Sequence, residues 1–180
     1  MVVFDATMLL YLLDPEAKPP TDPKTQQPVT AVQARVAHLV ETLAKARTKI
    51  IIPTPALSEI LVRAGDAGPA YLDIVNKSAS FRIVPFDQRA AVEVAAALRE
   101  ALDAGDKKGG SKAPWAKLKF DRQILAIAKV EGATTIYSDD SDMQRFAKGT
   151  GIEVVPIDAL PLPPEKAQQS LHLEDGPTGT

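Results

Sequence analysis

Residues 118–140 read Leu-Lys-Phe-Asp-Arg-Gln-Ile-Leu-Ala-Ile-Ala-Lys-Val-Glu-Gly-Ala-Thr-Thr-Ile-Tyr-Ser-Asp-Asp. Over Leu118–Glu131 the apolar Ile124, Leu125, Ile127 and Ala128 recur at helical spacing, and Gly132 stops the helix. Thr134–Tyr137, a β-branched and aromatic run, reads as a strand. A second, short helix is expected over Asp140–Lys148. A helix feeding a strand is the unit of a parallel sheet, because parallel neighbours need a crossover long enough to bring the chain back.

The same alternation extends outward. Downstream, Glu153–Ile157 reads as a strand. Upstream, Val2–Phe4 is a strand and Thr7–Leu13 a short helix. Val32, Val36, Leu39, Val40 and Leu43 mark an amphipathic helix over residues 30–47. Lys49–Ile52 is a strand stopped at Pro53, and Thr54-Pro55 reads as a cap and first turn of a helix that Gly65 ends. Pro69–Ser78 is helical, Phe81–Pro85 a strand, and Asp87 caps a long helix that runs to Ala104. The proline-rich stretch 14–28 is expected as a surface loop, and the polar Asp106–Pro114 as a mobile one. Strands alternating with helices predict an α/β fold of three αβα layers around a mainly parallel sheet. The pattern does not give the pairing order. Residues 1–160 are expected to form the domain, and 161–180, rich in proline, glycine and glutamine, a flexible tail.

Composition narrows the chemistry. The 180 residues are 45% hydrophobic and 24% charged, which is globular usage. Lysine and arginine number 21 against 23 acids, so the net −2 excludes a generally basic coat but not a local basic patch. Without cysteine there is no disulfide scaffold, thiolate metal site, iron–sulfur cluster or thiol nucleophile, and two histidines leave little for an imidazole centre. No apolar run approaches the ~20 residues that span a bilayer. The apolar opening Met1–Leu13 has no basic region and carries Asp5, so it reads as a strand and not as a signal peptide. A cytoplasmic location without membrane attachment is the expectation.

In an open parallel sheet, ligands sit beyond the carboxyl ends of the strands. Asp5 follows the first strand there, and Asp139 and Asp140 follow the fourth. Glu59 lies on the helix after the second strand, and Asp121 near the start of the helix leading into the fourth. Clustered carboxylates repel, and a hard cation such as Mg²⁺ or Mn²⁺ resolves that repulsion while leaving room for a phosphate oxygen and a water. The shared position of these acids therefore points to metal-assisted phosphodiester chemistry. Each acid taken alone has an ordinary reading. Asp5 and the Ser138–Asp140 segment can cap helices. Asp121 near a helix N-terminus gains ~0.3–1 kcal/mol from the helix dipole. Glu59, off the Leu57/Ile60/Leu61/Ala64 stripe, can simply be solvated.

Lys107, Lys108, Lys112, Lys117, Lys119 and Arg122 crowd the third acid. Lys112, Trp115, Lys117, Lys119 and Arg122 are the candidates for nucleic-acid contact (RNA in the resemblance drawn below), the lysines on phosphates and the indole stacked on a base for ~1–3 kcal/mol. The competing reading is a solvated loop with the tryptophan packed beneath it.

These motifs resemble the PIN-domain nucleases, and within them the VapC-type toxins of toxin–antitoxin pairs. Val2-Val-Phe-Asp5-Ala-Thr7 is similar to the family's first strand and Asp-x-Ser/Thr/Asn motif. Thr54-Pro-Ala-Leu-Ser-Glu59 resembles its second-acid helix, Phe120-Asp121 through Gly132 its third-acid helix, and Thr135 through Met143 its fourth-acid segment. The resemblance covers about residues 1–157 and implies four metal-binding catalytic acids, Asp5, Glu59, Asp121 and Asp140, with Asp142 assisting. A shift of one residue selects Asp139 in place of Asp140. It further implies polar support from Thr7 and Ser138, an RNA substrate, a homodimer and a cognate antitoxin. The stretches 14–28 and beyond 160 make the chain longer than a minimal toxin.

Three other readings compete with this one. A phosphatase with Asp5 as covalent nucleophile expects an acid at position 7, where Thr7 stands. A phosphoacceptor receiver domain lacks its acidic pair before the first helix. A PIN-fold binding or regulatory module without nuclease activity predicts no stabilisation by metal.

Overall fold

In the computed structural model, which describes residues 1–164, the five expected strands form: Val2–Phe4 (β1), Ile50–Pro53 (β2), Phe81–Val84 (β3), Thr135–Tyr137 (β4) and Glu153–Val155 (β5). They join one parallel sheet in the order β3-β2-β1-β4-β5, with Val3 paired to Ile51 on one side and to Ile136 on the other. β1 and β2 are buried along their whole length, as their unbroken apolar runs require.

Seven α-helices connect them: Ala6–Leu13 (α1), Val32–Lys45 (α2), Thr54–Ala64 (α3), Gly68–Lys77 (α4), Gln88–Asp103 (α5), Trp115–Val130 (α6) and Ser141–Ala147 (α7). Right-handed crossovers put α1–α4 on one face of the sheet and α5–α7 on the other. α1 packs on α2 and α3, and α6 on α5 and α7. α3 also touches α6, so the two layers converge beyond the carboxyl edge of the sheet. The chain leaves β1 toward β2 and β3, then returns to the other side of β1 for β4. The gap between β1 and β4 is the switch point where such sheets bind ligands.

Local differences from the sequence reading have identifiable causes. Thr54 does not cap α3. The helix begins at Thr54 itself, and the Thr54 hydroxyl accepts a hydrogen bond from the Phe86 amide at 3.1 Å, tying the chain leaving β3 to the start of α3. α6 begins at Trp115, directly after Pro114, and not at Leu118. β5 ends at Val155, before Pro156. Asp87 does cap α5, accepting from the Ala90 amide at 3.0 Å.

The segment 106–114 folds into turns, with the Gly110 amide donating to Asp106 at 2.9 Å. Gly109 has φ +61, and a Cβ there would lie 2.8 Å from the Phe146 ring, so only glycine lets this turn close onto α7. Stretch 14–28 is irregular, pinned by a bridge between Thr21 and Pro28. Leu160 is buried in the core. Of the expected tail, residues from 165 onward lie outside the described residues. Among the described residues no helix is long and apolar enough to cross a membrane.

Candidate active site

The carboxyl ends of β1 and β4 carry the acids. Asp121 is buried in the second turn of α6, too deep for the end-of-helix dipole to account for it. Asp140 caps α7, accepting from the Asp142 amide at 2.8 Å. Asp142 lies in the first turn of α7 and is paired with Arg145 one turn on. One carboxylate oxygen from each of Asp121, Asp140 and Asp142 lies within 4.8 Å of the others.

Lys117 binds this cluster together. Standing one turn before Asp121 on α6, its Nζ donates to Asp121 Oδ2 at 2.9 Å and to Asp140 Oδ2, and lies 3.5 Å from Asp142 Oδ2. Burial alone would lower the ammonium's pKa, but its bonds to Asp140 and Asp121 outweigh that and hold it above the ordinary lysine range. For Asp121 burial wins, pushing the carboxyl up to about 6 despite Lys117. Burial also raises Asp142, yet a hydrogen bond from Ser111, with Lys117 and Arg145, carries it below the usual value.

Asp5 stands behind the cluster. It is buried and caps α1, its Oδ1 accepting from the Met8 amide at 2.9 Å. Its Oδ2 accepts from the hydroxyl of Ser138, which is fully buried at the end of β4 and in turn accepts from the Asp140 amide at 3.1 Å. Ser138 thus couples the acid after β1 to the acid after β4. Burial pushes Asp5 up to about 7, opposed by Ser138 and Met8 and reinforced by Asp139 and Asp140.

Asp139 faces elsewhere. Its Oδ1 accepts from the Ile157 amide at 2.7 Å, and it lines a separate hollow beneath stretch 14–28. Of the two registers open in the sequence, the geometry brings Asp140 to the other acids and leaves Asp139 holding the chain after β5.

A cleft of about 460 Å³ opens over Asp121 and Asp140, lined by Thr7, Glu59, Val62, Arg63, Lys117 and Phe120 among others. Thr7 is at its rim. Glu59 is exposed on α3 and paired with Arg63 at 2.9 Å, so it borders the cleft without joining the three-carboxylate cluster. Arg63, Phe120 and Arg145 were not singled out by sequence reasoning. The spacings Glu59/Arg63 and Asp142/Arg145, one helical turn apart, are the signals that could have found the two arginines.

The basic candidates separate. Lys112 and Lys119 are exposed. Trp115 is half-buried at the start of α6, its ring covered by the Lys107 ammonium at 4.3 Å. Arg122 points away from the acids. It stacks on Phe146 at 4.5 Å, donates to the Lys107 carbonyl at 3.1 Å, and lines a second hollow between α5, α6 and α7.

The donor set fits a hard divalent cation. Its ligand atoms are all carboxylate oxygens, and Asp5 and Asp121 are raised to about 7 and about 6 although one ammonium already faces the cluster. A further positive charge placed among them favours their ionised forms.

Residues 30–149 match the family model of the PIN domain. That span contains Glu59, Asp121, Asp140 and Asp142 but not Asp5. No curated protein matches the chain. Among solved structures, VapBC2 from Rickettsia felis bound to a DNA fragment from its promoter is 16% identical with TM-score 0.58, covering 87% of this chain and 98% of that one. The DNA-bound VapBC from Salmonella typhimurium is 16% identical with TM-score 0.52, covering 87% and 97%. VapC20 from Mycobacterium tuberculosis, described as a sarcin-ricin loop cleaving toxin, is 14% identical with TM-score 0.51, covering 80% and 93%. At such identities the likeness is one of fold.

Proposed function

The chain belongs to the PIN-domain family, and from that premise we propose that it is a Mg²⁺- or Mn²⁺-dependent endoribonuclease of the VapC-toxin type. The observation that carries the reading is the convergence of Asp121, Asp140 and Asp142 within 4.8 Å at the β1/β4 switch point, with Asp5 joined to Asp140 through Ser138.

In this reading Asp121, Asp140 and Asp142 hold the cation, with Asp5 behind them and Glu59 reaching in from α3. A bound Mg²⁺ or Mn²⁺ supplies Lewis-acid stabilisation of phosphoryl oxygens and lowers the pKa of water. The protein's own part is positional. Ser138 fixes the rotamer of Asp5, the α7 cap fixes Asp140, and α6 fixes Asp121 beside it. Thr7 supports the rim. Lys112, Lys119 and Trp115 bind the RNA beside the cleft, and Lys117 stands inside it. Arg122 serves this surface indirectly, by anchoring the 106–114 turns through the Lys107 carbonyl.

The nuclease unit is taken as residues 1–160. A homodimer, a cognate antitoxin and a cytoplasmic location complete the proposal. The antitoxin is supported by two fold neighbours being toxin–antitoxin complexes.

The test is cleavage of a mixed structured RNA pool with Mg²⁺, with Mn²⁺ and with EDTA, alongside Asp5→Asn and Asp121→Asn. Activity should require metal and fall by more than about 100-fold in both variants, since even outer-shell partners of metal ligands cost about 10–100-fold. Folded protein that binds no Mn²⁺ and cuts no RNA would favour the binding-module reading.

A further inference from the structure

We propose that the Lys117 ammonium is a built-in counter-charge of the acidic cluster, which a divalent cation must displace, and which then passes from the carboxylates to the substrate phosphate. The proposal rests on the nuclease reading above.

An ammonium has three donors. Lys117 directs its charge at three carboxylates from two helices: Asp121 at 2.9 Å, Asp140 in a shorter contact, and Asp142 at 3.5 Å. These are the same carboxylates whose oxygens lie within 4.8 Å of one another. A divalent ion drawing them in at about 2.0–2.1 Å for Mg²⁺ would share their lone pairs with the ammonium and lie against a like charge. The two cations therefore exclude each other.

Lys117 is also able to leave. Its side chain is 43% exposed on a flexible four-carbon stem, and it lines the cleft into which it would swing. Released there, it is a mobile point charge beside the carboxylates, suited to a phosphate oxygen. Asp142 has a second partner, Arg145, so it stays held when Lys117 departs.

Mn²⁺ binding measured by calorimetry on the full chain separates this exchange from simple packing. Lys117→Met should bind Mn²⁺ about tenfold more tightly than the parent, because no resident charge has to be expelled. Its metal-free melting temperature should be lower and its Mn²⁺-saturated one equal to the parent's, whereas a structural role would lower both. Lys117→Arg, which keeps the charge, should stay within about threefold of the parent. Lys119→Met, which removes an exposed charge from the same helix, should leave Mn²⁺ affinity unchanged. Unchanged or weaker binding by Lys117→Met, or equal tightening by Lys119→Met, overturns the exchange alone. Absence of Mn²⁺ binding in every protein overturns it together with the nuclease reading.

Discussion

The two walls of the cleft are built on opposite plans. On the α6–α7 wall Asp121 and Asp142 are buried, and Lys117 and Arg145 lock them to Asp140 and to each other. On the α3 wall Ser58, Glu59, Val62 and Arg63 are all exposed, and Glu59 is held only by an ion pair one turn away. Such exposed pairs are worth about 0.3–0.5 kcal/mol, so Glu59 can turn without disturbing the fold. Buried carboxylates lack that freedom, because leaving one unpaired is costly. One wall is thus set before any ligand arrives, and the other adapts to it.

The largest effect that sharpens this contrast lies behind the fixed wall. Ser138→Ala removes the only side chain that touches both Asp5 and the Asp140 backbone among the described hydrogen bonds. Cleavage and Mn²⁺ affinity should each fall by about 10–100-fold, the range for outer-shell partners of metal ligands. A neutral result would show that Asp5 needs no help in being placed.

A smaller effect is expected on the open wall. Glu59→Gln should weaken Mn²⁺ binding by less than about tenfold and change metal-free stability by less than about 0.5 kcal/mol, as for most exposed substitutions. Titration calorimetry and thermal melts measure both. If Glu59→Gln matches Asp121→Asn in metal affinity, the walls are equivalent and Glu59 is drawn fully into the cluster on binding.

This asymmetry follows the line between what was legible in the sequence and what was not. Strands with unbroken apolar runs, such as Ile50–Ile52 and Val2–Phe4, declare themselves because burial on both faces leaves no other composition. The acids were legible as a set because topology alone brings the ends of β1 and β4 together. Their individual surroundings were not. Asp121 reads as an acid at the start of a helix because Pro114 falls in the expected loop and the helix is expected from Leu118, whereas it starts at Trp115 and carries Asp121 inward. Lys117 reads as an RNA contact because it belongs to the basic cluster before Asp121, and the sequence does not show that Asp140 and Asp142 close around it. Asp139 and Asp140 are identical in composition, and only the turn after Ser138 sends one to the cleft and the other to Ile157. Thr54 has the signature of a cap, but the Phe86 amide just after β3, remote in sequence, takes its hydroxyl.

The fixed wall should also show itself as a pH dependence of unusual sign. Burial pushes Asp5 up to about 7 and Asp121 up to about 6, from an ordinary 3.8, against the hydrogen bonds that pull the other way. Between these values the folded chain holds protons that the unfolded chain has released, so its stability declines as pH rises. The contribution is whole below about 4 and is lost as pH passes through about 6 and then about 7. Asp142 and Asp87, both lowered, act in the opposite sense, but theirs is lost only as pH falls below the ordinary 3.8. In EDTA the melting temperature should therefore drop by roughly 5 °C from about pH 5 to about pH 8. Saturating Mn²⁺ should flatten the upper part of that profile, because a cation favours the ionised carboxylates. Asp5→Asn should remove more of the slope than Asp121→Asn, as its carboxyl is raised further. A flat or rising profile in EDTA would mean that burial does not hold protons on Asp5 and Asp121, and the contrast between the walls would be geometric only.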